Sequence, residues 1–153
     1  MANIQSLTKS RRGKAYCSKC GQEIMPGDRY KKATPFRREP IIRCIYCGLQ
    51  PYETSGSKYI RTVGDLVYTW KKKYPINESV VDDILLTVEN IRDNLQFNLD
   101  GMPEQFQYDS ILQDRIDSLD DCISELEAID TQDCDESDII TNIDAALSHI
   151  QMR

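Results

Sequence analysis

Four cysteines constrain this chain more than any other residues: Cys17-Ser18-Lys19-Cys20-Gly21 and Cys44-Ile45-Tyr46-Cys47-Gly48. Each run is a CxxC pair followed by glycine. A tight turn with a thiolate at either end offers two sulfurs to one ion. The glycine lets the backbone take the cramped conformation that aims amides back at those sulfurs. Two such turns complete a tetrahedral shell, so the spacing predicts one Zn²⁺ held by Cys17, Cys20, Cys44 and Cys47. A four-cysteine iron–sulfur centre uses the same ligands, and spacing alone does not separate the two. A disulfide framework needs an oxidising compartment, of which the sequence gives no sign. A redox CxxC needs one pair beside a βαβ pattern, which is missing. A shell filled by four thiolates leaves no position for water or substrate, so the expected role of the metal is a structural staple.

The chain of 153 residues has room for one domain or two small ones. No apolar run approaches the ~18 residues a membrane span requires, and the start lacks the apolar core of a signal peptide. The expectation is a chain with no membrane partner in a reducing cytoplasm, or a host cytoplasm if viral. A net charge of −6 conceals a sharp division. Residues 1–74 hold 16 Lys or Arg against 5 Asp or Glu, a balance of +11, while residues 75–153 hold 3 against 20, a balance of −17. Such asymmetry points to two halves with different surfaces.

Residues 1–14 are polar and basic and read as a flexible arm, and residues 15–56 read as a zinc ribbon. Within the ribbon, Met25-Pro26-Gly27-Asp28 marks a turn, and Arg29 to Thr34 and Pro40 to Cys44 predict two short strands around a Pro35–Glu39 loop. From residue 57 to 153 the period becomes helical. Val63, Leu66, Val67, Trp70 and Tyr74 predict a helix from about Ser57 to Lys73. Val81, Ile84, Val88, Ile91 and Leu95 follow a three-four rhythm, repeated by Leu112, Ile116, Leu119, Ile123 and Leu126. The short Asp100-Gly101-Met102-Pro103 break between them implies an antiparallel hairpin of about 78–99 and 109–129. Ile139, Ile140, Ile143, Leu147 and Ile150 give a short C-terminal helix. The expected fold class is α+β, a Cys₄ ribbon followed by an antiparallel bundle of three to four helices.

The run Cys17-x-x-Cys20-Gly21-x-x-Ile24-x-x-Gly27-Asp28-x-Tyr30, continued by Ile42-Arg43-Cys44-x-x-Cys47, resembles a family of small zinc-ribbon proteins common in bacteriophage genomes. Pro51-Tyr52-Glu53-Thr54-Ser55 echoes that family's segment after the second metal turn. Gly101-Met102-Pro103-Glu104 resembles its Asn-Met-Pro-Glu helical turn, with Gly101 where asparagine is usual. The acidic helix from Asp114 through Glu127 is similar too. The resemblance spans about residues 15–130. It implies a viral origin and a zinc-binding fold, and it transfers no catalytic residues.

No catalytic constellation stands out. His149 is the only histidine and sits near the end of the last predicted helix, where the dipole favours it. Asp82/Asp83 and Asp120/Asp121 are adjacent pairs that diverge around a helix. Cys122 adjoins the apolar seam and reads as a core filler, and Cys134 lies in an acidic loop with no activating cation. The chain reads as a non-enzyme with no small-molecule substrate.

Two binding surfaces are candidates. Arg29, Lys31, Lys32, Arg37, Arg38 and Arg43 surround the predicted hairpin, interleaved with Tyr30, Phe36 and Tyr46. Cations neutralise phosphates and aromatics stack on unpaired bases, so this half suits nucleic acid. The same cations would also offset the −2 formal charge of a Zn²⁺ with four thiolates. Asp117, Asp121 and Glu125 follow one another at i, i+4. They suit a basic protein surface: the chain's own basic half, a second copy, or a nucleic-acid-binding host protein that reads the acidic helices as DNA. A solvated acidic face that aids solubility explains the stripe equally well.

Overall fold

The structure, a computed structural model, describes residues 4–10, 12–73, 75–107 and 111–153. It is α+β, with a three-stranded antiparallel sheet and, among the described residues, five α-helices. Two compact units divide at Arg61 and Thr62. The sequence places this boundary five residues earlier, at 56/57. Arg61, the last residue of the first unit, donates from its Nη1 to the Ser55 carbonyl at 2.6 Å.

In the first unit the expected hairpin is present as β2 (Arg29–Ala33) and β3 (Ile41–Cys44), paired Tyr30↔Cys44 through Ala33↔Ile41. One expectation is corrected. Ile4–Thr8, read as part of a flexible arm, forms β1 and pairs with β2 from Ile4↔Ala33 to Thr8↔Arg29. The outer edge of β2 would otherwise present unpaired backbone donors and acceptors, and β1 satisfies them. Residues 1–3 and Arg11 of the supposed arm lie outside the described residues.

Lys9 then locks the strand in place. It is only 8% exposed, and its Nζ donates to the carbonyls of Ser10 (2.8 Å), Arg12 (2.7 Å) and Gly13 (2.9 Å). Its backbone N–H donates to Asp28 and its carbonyl accepts from Gly27. An ammonium with three oxygen acceptors tolerates burial that a bare one would not.

Alternation along the strands divides the small core in two. Cys44, Ile42 and Tyr30 face Cys17 and Ile24 on the side of the cysteines. Ala33 and Ile41 face Leu49 on the other.

The second unit is helical. α1 (Lys58–Thr69) straddles the division and runs into a 3₁₀ turn over Trp70–Lys72. Tyr74, part of the pattern that predicts this helix, lies outside the described residues. α2 (Glu78–Asp100) buries Val81, Ile84, Val88, Ile91 and Leu95, the seam expected from its rhythm, and packs on α4 (Ile111–Glu127). Between them lies a one-turn helix, α3 (Glu104–Gln107), and the expected start of α4 at 109 falls outside the described residues. α4 in turn packs on α5 (Glu136–Ser148), which Asp135 caps by accepting from the Asp138 N–H at 2.9 Å. Among the described residues no helix is long and apolar enough to cross a membrane.

Candidate metal centre and basic sheet face

The two cysteine turns share one construction. In the first, the Gly21 N–H donates to the Cys17 carbonyl at 2.9 Å with Gly21 at φ +73°; in the second, the Gly48 N–H donates to the Cys44 carbonyl at 3.1 Å with Gly48 at φ +63°. A positive φ is the conformation that glycine enters without steric cost, and it closes each turn immediately after its second sulfur. Ser18 joins the turns to each other. Its N–H donates to the Ile42 carbonyl at 2.8 Å, and its Oγ accepts from the Ile42 N–H at 3.1 Å. The first pair is thereby fastened to the strand that ends in Cys44.

The result is a cluster in which the ligand atoms of Cys17, Cys20, Cys44 and Cys47 all lie within 4.8 Å of one another. The Sγ atoms of Cys20 and Cys44 are 3.9 Å apart. Tetrahedral zinc with bonds near 2.3 Å sets sulfurs about 3.8 Å apart, so the donor set fits the ion. Cys17 and Cys44 are buried, whereas Cys20 is exposed.

The electrostatics of four bare sulfurs point the same way. Burial raises the Cys17 thiol, but the amides of Cys20, Cys44 and Lys19 outweigh it and bring Cys17 down to about 6. Hydrogen bonds with the thiols of Cys44 and Cys20, followed by burial, push Cys47 up to about 12. Four sulfurs this close ionise together only around a cation. The other two cysteines are unlike them. Burial pushes Cys122 up to about 12, as befits a core filler, and burial with nearby Asp130 raises Cys134.

The six basic candidates do not form one patch. Arg43 is consumed structurally: its Nη2 lies 2.7 Å from Glu53 Oε1, with the two side chains 11% and 14% exposed. Arg38 is consumed likewise, its guanidinium donating to the carbonyls of Ser55 (2.8 Å) and Glu53 (3.2 Å). With Arg61 they make three arginines that clasp the Pro51–Thr54 turn. Arg37, at φ +54°, sets its guanidinium 5.0 Å from the ring centroid of exposed Phe36. Lys32 alternates onto the face that carries Tyr30 and Cys44. Arg29 and Lys31 remain, exposed, two residues apart on the opposite face of β2, and with no carboxylate partner among the described residues.

The acidic candidates are partly engaged. Asp117 accepts from Gln113 Nε2 at 2.8 Å, and Glu125 lies 2.7 Å from His149 Nε2. Asp121 is exposed without a partner among the described residues. Lys71 Nζ lies 2.7 Å from Asp144 and Lys73 Nζ 3.2 Å from Asp83.

Sequence reasoning missed Lys9 as an anchor and Ser18 as the tie between the turns, because both are polar residues whose role depends on distant carbonyls. Compared with protein-family models, curated proteins and solved structures, the chain matches none.

Proposed function

We propose that the chain is a non-enzymatic interaction protein whose N-terminal unit is a zinc ribbon, stapled by Cys17, Cys20, Cys44 and Cys47, that contacts nucleic acid through one face of its sheet. The cysteine geometry supports the staple. A full sulfur shell offers no open coordination site, which argues for a platform and against a reaction centre. The observation that carries the contact is the pairing of Arg29 and Lys31: exposed, on one face, and free of the carboxylates that occupy Arg43. The resemblance to phage ribbon proteins accords with an accessory factor acting on nucleic acid or its machinery. The acidic stripe supports a protein-only reading less well, since two of its three carboxylates already have partners in their own unit.

Metal analysis by plasma emission together with anisotropy titration of labelled oligonucleotides tests the proposal. The expected result is one zinc per chain and binding that weakens steeply with salt. Absence of stoichiometric metal, the visible absorption of an iron–sulfur centre, or no salt-sensitive binding at micromolar protein would each overturn it.

A further inference from the structure

A cleft of about 330 Å³ opens on the sheet beside the second cysteine turn. Its lining includes Ser6 of β1, Arg29 and Lys31 of β2, and Ile45 and Gly48 of the turn. The register explains why these residues meet. Ser6 stands directly across from Lys31, so their side chains share a face, and Arg29 lies two residues along on the same side. The cleft therefore has a cationic, hydroxyl-bearing wall. Lys31 also stands opposite Arg43 on β3, whose charge Glu53 neutralises. The free positive charge of this face thus concentrates at the cleft itself.

The other wall is apolar. Ile45 forms it and is 67% exposed, while Tyr46, the next residue along the turn, stands outside the lining and is 88% exposed. Nothing in the packing of the unit requires two large hydrophobic side chains at the tip of a metal turn. An anion alone would satisfy Arg29 and Lys31 and leave this wall unused. A ligand with a negative charge at one end and a flat apolar surface at the other uses both, and a nucleotide has that shape. A duplex hides its base faces in the stack and offers phosphates and groove edges, so it cannot place a base in a concavity of this size. An unpaired strand can.

We propose that this cleft seats one nucleotide of a single-stranded nucleic acid, its phosphate between Arg29 and Lys31 beside the Ser6 hydroxyl and its base against Ile45 and Tyr46. This rests on the nucleic-acid reading above and adds to it strand selectivity and a defined subsite.

The test uses the full zinc-loaded chain, with labelled oligothymidylate and a labelled hairpin duplex as probes in anisotropy titrations. Variants are Lys31→Ala, Tyr46→Ala and, on the opposite sheet face, Lys32→Ala. The wild type should prefer the single strand. Tyr46→Ala should weaken oligothymidylate about five- to a hundredfold and leave the duplex unchanged. Lys31→Ala should lower the salt slope by about one, and Lys32→Ala should do little. Zinc content and thermal midpoint should not change in Tyr46→Ala, because that side chain is exposed. Equal affinity for both probes, with a neutral Tyr46→Ala and Lys31→Ala and Lys32→Ala equally weakened, would overturn the subsite but keep the broader nucleic-acid reading. Failure to bind either probe would overturn both.

Discussion

The Arg43–Glu53 pair gives the sharpest test of the claim that the basic half turns much of its charge inward. The ions are 2.7 Å apart with side chains only 11% and 14% exposed, so solvent screens them little. Removing one member leaves the other buried and uncompensated, which costs about 3–5 kcal/mol. The two deletions should differ. Arg43→Met leaves a carboxylate that still accepts from the Gln50 N–H at 2.7 Å, which puts its cost near the lower end, about 3 kcal/mol. Glu53→Leu removes the acceptor of Nη2 and leaves a guanidinium whose Nε has no partner and whose Nη1 meets only the Ile42 carbonyl at 3.4 Å. Its cost should be the larger. Replacing both, Arg43→Met with Glu53→Leu, removes the charges together and should cost no more than about 1 kcal/mol. Urea titration of the zinc-loaded chain at fixed chelator, read by metal release to a chromophoric dye, follows the unit that contains the pair. Trp70, the only tryptophan and a fully buried one, reports the other unit by fluorescence and should show no change. Arg43→Met should also leave oligonucleotide affinity of the folded protein intact, because this cation is already neutralised. Single deletions costing less than about 1 kcal/mol, or a double variant as unstable as the summed singles, would refute the reasoning.

Other outcomes follow from the same geometry. The Glu53 carboxyl is raised by burial but held below its ordinary range, on balance, by the Gln50 amide and Arg43. Its folded pKa thus lies below the unfolded value of about 4.3. The stability it contributes is complete above that value and disappears as pH falls through the lower folded one. The gap between wild type and Glu53→Gln should therefore be constant above about pH 5 and close on further acidification; a gap that widens in acid would contradict this. Lys9→Met keeps the buried stem but strips three carbonyls of their donor. It should destabilise the N-terminal unit by about 2–4 kcal/mol in the same zinc-release assay, and a neutral result would show that β1 holds without its anchor. Asp135→Ala removes the cap of α5 and should cost about 1 kcal/mol by Trp70 fluorescence, with zinc release unaffected.

What the sequence made legible, and what it hid, follows from the range of the interactions involved. The cysteine turns announce themselves because ligand, spacing and glycine lie within five consecutive residues, and the structure brings all four sulfurs together. The seams of α2 and α4 are equally local, since helical period alone selects Val81 through Leu95 and Ile116 through Leu126. β1 carries no such signal. Ile4 and Leu7 fall on opposite faces of the strand, so no alternation marks it, and it forms because β2 has a free edge some twenty-five residues away. The basic candidates fail as a single patch for the same reason. Charge can be counted along a chain, but whether a guanidinium meets water or a carbonyl depends on the fold. Arg38 and Arg43 look no different in sequence from Arg29 and Lys31, yet the first two hold the Pro51–Thr54 turn while the other two stand open beside the second cysteine turn. The charge open to a ligand is thus what remains after the fold has used its share. Among the six basic candidates that remainder includes Arg29 and Lys31 on β2, next to the exposed Ile45, and there a ligand would find charge and apolar surface side by side.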